Sequence, residues 1–152
     1  MQSSHALRVL AIGLLAGTLD ITENLIFNAF RGITPTMVFQ YIASGLIGMA
    51  AFKGGIPAIA VGLLFHYAIA LFWTGLFYAA SRKIAILSQR PIISGLIYGG
   101  IIYLVMNVVV LPLSGVPHAQ SAITLASRIN GVFALLFCIG LPVSLLVSRA
   151  NR

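Results

Sequence analysis

Two acidic residues and an asparagine stand close together within the first apolar segment of the chain. Asp20, Glu23 and Asn24 have the spacing i, i+3 and i+4, so on a helix they share one face, and Asn28 extends that face by one turn. The sequence has only two acidic residues, and both are here. Because an ionised side chain is costly inside a bilayer, this face is expected to turn away from lipid and to form a functional site or a paired contact.

Three later apolar segments each contribute a further polar group: His66, then Asn107, then Arg128 followed by Asn130. With about 1.5 Å of rise per residue, all of them fall in the outer half of a membrane, near the depth of the two acidic residues. The candidate ligand-binding or proton-transfer residues are Asp20, Glu23, Asn24, His66, Asn107 and Arg128.

This polar cluster allows three interpretations. In the first, which we prefer, Glu23 with Arg128 and Asp20 with His66 satisfy one another by ion pairs or hydrogen bonds and only pack the bundle. In the second, the cluster lines an outward cavity, and the Asp20–His66 pair serves a channel or transporter for protons or a small solute. The third is a membrane enzyme acting on a lipid or quinone. No catalytic residue is assigned, because no serine stands at a recognisable triad spacing.

The composition places these residues in a membrane protein. Of 152 residues, 60% are hydrophobic and only 7% are charged, and the mean hydropathy is +1.06, so an ordinary soluble surface is excluded. The net charge of +7 comes from basic residues scattered at the edges of apolar runs, which indicates membrane orientation rather than nucleic-acid binding. The single cysteine, Cys138, excludes an internal disulfide, and no metal or cofactor is expected. Membrane lipids are the expected surroundings.

Four stretches reach the roughly 20 residues that cross a bilayer core: Val9–Phe30, Ile56–Ala80, Ile92–Leu111 and Ala122–Val147. The sequence therefore predicts an all-α integral membrane protein with a single polytopic domain. A bend is expected near Pro142, since proline removes a backbone hydrogen bond. Trp73 and Tyr78, near the inner end of the second span, are expected to anchor at the headgroups.

The segment Thr36–Phe52 is apolar but short, with about 17 residues and a length of roughly 25 Å. Thr34 and Pro35 suit the N-cap and first position of a helix that ends at Lys53. It could lie in the interface, re-enter, or cross as a fifth span. Charge counting gives six basic residues inside and three outside for four or five spans, with a cytoplasmic C-terminus in both. We prefer four spans plus a short outer-side helix.

Small residues recur at helix-packing intervals in three places, namely Gly13 with Gly17, Gly45 with Gly48, and Gly95 with Gly99. Such residues let helices approach closely where lipid supplies no hydrophobic driving force. Packing within the chain is preferred, and a homo-oligomer built on these helix faces is the alternative.

Three strings resemble a known group of proteins: Gly17–Ile21 (GTLDI), Ala43–Gly48 (ASGLIG) and Tyr103–Ser114 (YLVMNVVVLPLS). They resemble small, uncharacterised bacterial four-span inner-membrane proteins of about this length and, more distantly, the YagU-like inner-membrane proteins. The resemblance covers nearly the whole chain. It implies a multi-pass protein of the bacterial cytoplasmic membrane and carries over no reaction or ligand.

Overall fold

The computed structural model describes residues 2–117 and 124–150, which are helical with no strand among them. The helices are α1 (Gln2–Ala29), α2 (Pro35–Lys53), α3 (Gly55–Ser81), a short α4 (Ala85–Gln89), α5 (Pro91–Leu113) and α6 (Leu125–Ala150). All except α4 are long and apolar enough to cross a membrane. The predicted all-α class is confirmed, and α2 joins the four predicted helices as a fifth of sufficient length. Residues 122 and 123 of the predicted fourth span lie outside the described residues.

Helices α1 and α3 pack side by side in opposite directions. Near one end, His5 hydrogen-bonds with the Tyr78 hydroxyl. Further along, Gly17 lies so close to α3 that a Cβ there would stand 3.0 Å from atoms of Tyr67 and Ala70. Residue numbers therefore rise along α1 as they fall along α3, and the start of α1 lies beside the end of α3.

Helix α6 runs antiparallel to both α1 and α5. The Ser144 hydroxyl donates to the carbonyl of Pro91 at 2.8 Å, where α5 begins. The Arg8 guanidinium donates to the carbonyl of Ala150 at 2.9 Å, and that of Arg31 donates to the Ser127 hydroxyl at 2.6 Å. Helices α1 and α5 thus point one way, and α3 and α6 point the other way.

The bundle consequently has two distinct ends. One end holds the start of α1, the end of α3, α4, the start of α5 and the end of α6, and we call it the basic end. Its described basic residues are Arg8, Arg82, Lys83, Arg90 and Arg149. The other end holds α2, and we call it the α2 end; its described basic residues are Arg31, Lys53 and Arg128.

A tightly packed core fills the half of the bundle toward the basic end. Phe77, Val143 and Val147 are almost fully buried there. Trp73 and Tyr78 belong to the same core, with only 7% of each exposed. The structure therefore places these two aromatic residues inside the bundle, where they pack against other helices.

Helix α2 lies across the neighbouring helices at its own end of the bundle. Thr34 caps it by accepting a hydrogen bond from the Met37 amide, and Pro35 is its first residue, as the sequence predicted. At Gly48, where φ is +61°, the chain turns from α-helix into a 3₁₀ segment, Gly48–Lys53. The Gly115 amide, in the loop after α5, donates to the Gly45 carbonyl at 3.0 Å and ties this loop to α2.

Two π-helical turns interrupt the long helices. They are Met106–Val110 in α5 and Leu135–Gly140 in α6, and each ends two residues before a proline, Pro112 or Pro142. Proline lacks an amide proton and clashes with the carbonyl four residues earlier, so the preceding turn widens. The sequence predicted a bend near Pro142, and the structure has a π-helical turn shortly before this proline.

Candidate functional site

Asp20 lies in the middle of α1, where two cavities meet. It lines both of them, and Leu135 at the start of the α6 π-turn is the other residue common to their walls. No hydrogen bond between described residues reaches the Asp20 carboxylate, and its oxygens are not sealed by protein. A carboxylate in the centre of an apolar helix is thus left open to cavity space.

The first cavity is polar and lies between α1, α5 and α6. Its volume is about 520 Å³. Its polar lining residues are Asp20, Asn24, Tyr103, Asn107, Ser127 and Arg128. Because Ser127 and Arg128 belong to the first turns of α6, the cavity reaches from mid-bundle to the α2 end. Of the six sequence-predicted residues, the fold thus brings Asp20, Asn24, Asn107 and Arg128 together here.

The amides of this cavity bond mainly to their own helices. The Asn28 amide donates to the Asn24 side chain and backbone, both at 2.9 Å, and the Asn107 amide donates to the Tyr103 carbonyl at 2.8 Å. These bonds fix the orientation of the amide groups. None of them involves Asp20.

The second cavity is smaller and almost wholly apolar. It has a volume of about 210 Å³ and lies between α2, α3, α5 and α6 on the other side of Asp20. Aromatic side chains of Tyr41, Phe65 and Trp73 form part of its wall. Gly45 of α2 and Ser114 of the loop after α5 line it toward the α2 end. This cavity was not foreseen, because its walls come from segments far apart in sequence.

His66 is the second ionisable residue of the apolar cavity. It lies near enough to Asp20 for their charges to interact. Its Nε2 is 2.8 Å from the Gly17 carbonyl oxygen, and because a carbonyl can only accept, Nε2 carries the proton. The absence of a side chain at Gly17 allows this close approach between α1 and α3.

Glu23 has a different environment from Asp20. Its carboxylate accepts a hydrogen bond from the Asn130 amide at 3.3 Å, and it does not line either cavity. Just beyond the end of α1, Arg31 bonds to Ser127, so a second contact joins this region of the chain to α6. The expected partner of Glu23 was Arg128, which instead lines the polar cavity. Among the described residues no buried cluster of charged side chains forms.

Within the described residues, no three His, Cys, Asp or Glu side chains come together as metal ligands. Cys138 is half-buried and lies near Asp20 and Glu23. The ionisable chemistry of the site therefore rests on Asp20 and His66.

The predicted packing glycines are used within the chain. A Cβ at Gly13 would touch Leu71, one at Gly95 would meet the backbone of α6, and Gly48 lies against Gly115. These close approaches position the helices that form both cavities.

The comparisons with known proteins give no relative. No family model matches the chain, and no curated protein or solved structure matches it either.

Proposed function

We propose that this chain is a membrane protein that admits a small solute or protons from one side through the polar cavity and binds them at Asp20. The observation that carries the proposal is the open Asp20 carboxylate at the junction of the two cavities. An intramembrane carboxylate that only packed helices would be expected to bond to a neighbouring helix, as Glu23 does. The packed core between Trp73 and the basic end would block a path through the rest of the bundle. Transport across the membrane would require the helices to move apart there.

We propose four membrane crossings, by α1, α3, α5 and α6. Helices α1 and α3 are antiparallel, and a single helix that crossed the membrane between them would make them parallel. Helix α2 therefore starts and ends on one side, as an interfacial or re-entrant helix, although its length alone would suffice to cross.

We further propose that the basic end, with the start of α1 and the end of α6, faces the cytoplasm in the cytoplasmic membrane of a bacterium. In the described residues, five basic side chains lie at this end and three at the α2 end. The bacterial assignment rests on the resemblance to YagU-like and other small inner-membrane proteins.

A structural role is the second proposal, and it belongs to Glu23. Its bond to Asn130 and the Arg31–Ser127 bond hold α1 against α6 at the α2 end. In this proposal Glu23 serves helix packing, while Asp20 binds the solute or proton.

The proposal is tested by chemical labelling of single cysteines from outside whole cells. In a Cys138→Ser background, Asn24→Cys and Asn107→Cys are expected to react with a charged, membrane-impermeant thiol reagent, because the cavity that they line contains water. Ile26→Cys is the matched control: it lies on α1 two residues from Asn24 but is 55% exposed on the apolar surface, so lipid should protect it.

Arg31→Cys, at the exposed end of α1, reports that the reagent reaches the protein. If the cysteine at position 31 is labelled while those at positions 24 and 107 are fully protected, the polar cavity is not accessible to water from outside. The structural interpretation would then replace the binding proposal.

A further inference from the structure

The junction of the cavities places a carboxylate beside an almost wholly apolar wall that contains aromatic side chains. An ionised Asp20 carboxylate is an acceptor only, and His66 has committed its Nε2 proton to the Gly17 carbonyl. An ionised carboxylate in such a place is complementary to a ligand with N–H donors and a positive charge.

The apolar cavity next to this pair limits the size and character of such a ligand. An enclosed apolar cavity of about 150 Å³ holds a benzene ring. The volume of about 210 Å³ therefore accommodates one ring and a chain of about two or three further atoms. The aromatic faces of Tyr41, Phe65 and Trp73 suit an apolar ring and attract a nearby cation.

We propose that the ligand is a small hydrophobic amine in its cationic form. Its ammonium group donates to the Asp20 carboxylate, and its apolar body occupies the cavity beside Trp73. The inference rests on the proposed function, since the polar cavity provides the aqueous route to Asp20. It adds the chemical class of the solute.

The positive charge of Arg128, which also lines the polar cavity, does not prevent a cationic ligand from binding at Asp20. Arg128 precedes Leu135, the α6 residue beside Asp20, by seven positions, which corresponds to about 10 Å along the helix. Arg128 is exposed, so water and ions screen its charge from an ammonium group at Asp20.

The fluorescence of a single tryptophan can report ligand binding in the apolar cavity. Trp73 is the chain's single tryptophan, and it lines the apolar cavity. Titration of the purified protein in detergent with 2-phenylethylamine is expected to change the tryptophan emission saturably. The control ligand is 2-phenylethanol, which has nearly the same shape but no charge. We expect the amine to bind at least tenfold more tightly than the alcohol, because its bond to Asp20 is charge-assisted.

Asp20→Asn should remove this preference, so that both compounds bind alike, whereas Glu23→Gln should preserve it. Glu23→Gln is the matched control, because Glu23 is the other acidic residue of α1 and does not line the cavity. Equal binding of the two compounds to the wild-type protein would overturn the amine assignment, as would an unchanged Trp73 emission with both. These readings on wild-type protein do not depend on whether the Asp20 variant folds.

The two proposals fail in different ways. Protection of cysteines at Asn24 and Asn107 in cells would remove the aqueous route and with it the proposed function, whatever the detergent titration gives. Accessible cysteines combined with equal binding of amine and alcohol would leave the aqueous cavity in place and reject only the amine.

Discussion

Asp20 and Glu23 are three positions apart, yet the fold gives them different surroundings. Glu23 faces α6 and receives a hydrogen bond from Asn130, while Asp20 lines two cavities and receives none from the described residues. A carboxylate that is hydrogen-bonded to a neighbouring helix helps to specify how the helices assemble. A carboxylate that faces a cavity is free to bind a proton or a ligand. From the sequence alone, Asp20 and Glu23 were assigned to one polar cluster. Their spacing shows that they share a helical face, but it does not show which residue of another helix contacts each of them.

We predict that Glu23 couples energetically to Asn130. In a double-mutant cycle of Glu23→Ala with Asn130→Ala, the coupling free energy is expected to be about 0.6 kcal/mol, the usual size for an interhelical hydrogen bond in a membrane protein. Unfolding by denaturing detergent would measure it. The parallel cycle of Glu23→Ala with Arg128→Ala is the control and should give a coupling near zero. A larger coupling to Arg128 would restore the ion pair expected from the sequence.

At the scale of elements, glycine contacts decide how α5 and α6 pack. A Cβ at Gly99 would overlap the backbone of Leu135 and Leu136, whereas a Cβ at the adjacent Gly100 meets nothing within 4 Å. The close approach places the π-turn of α6 directly against α5. Leu135 opens that turn and forms part of the wall shared by both cavities. The site therefore depends on this contact.

This contrast predicts opposite effects of the same substitution at neighbouring positions. Gly99→Ala should lower the free energy of unfolding by about 1–3 kcal/mol, because backbone atoms must move apart. Gly100→Ala should leave it unchanged or raise it by up to about 1 kcal/mol through better helix propensity. Thermal unfolding in the same detergent would measure both. Similar losses at both positions would contradict the α5–α6 contact.

The direction of α2 follows from its neighbours rather than from its own sequence. Its length and hydropathy would allow it to cross, but the antiparallel pairing of α1 and α3 places both of its ends at one end of the bundle. There it covers the apolar cavity, with the Gly115–Gly45 hydrogen bond holding the loop after α5 against it.

At the scale of the whole molecule, the two ends of the bundle should label from opposite sides. With Cys138 replaced, we predict that Lys53→Cys reacts from outside intact cells, whereas Arg82→Cys and Arg149→Cys react only after the membrane is opened. Arg31→Cys is the control for the outer side. A cysteine at Lys53 that is reached only from the cytoplasm would mean that α2 crosses, and the four-span topology would be rejected.

The sequence by itself determined the class of the protein and the positions of its helices. Its apolar runs are long enough to cross a bilayer, and its Thr34–Pro35 and Lys53–Gly54 boundaries are local signals that the structure reproduces. Four of the six proposed site residues line one cavity, because helical rise already gave their common depth.

The tertiary structure decided which groups meet. It paired Glu23 with Asn130, brought His66 to the Gly17 carbonyl, and placed Trp73 in the wall of an apolar cavity. These outcomes depend on the rotation of each helix about its axis and on close glycine contacts between helices. Neither is encoded in the spacing along a single segment, so only the packed bundle separates the open carboxylate of Asp20 from the bonded one of Glu23.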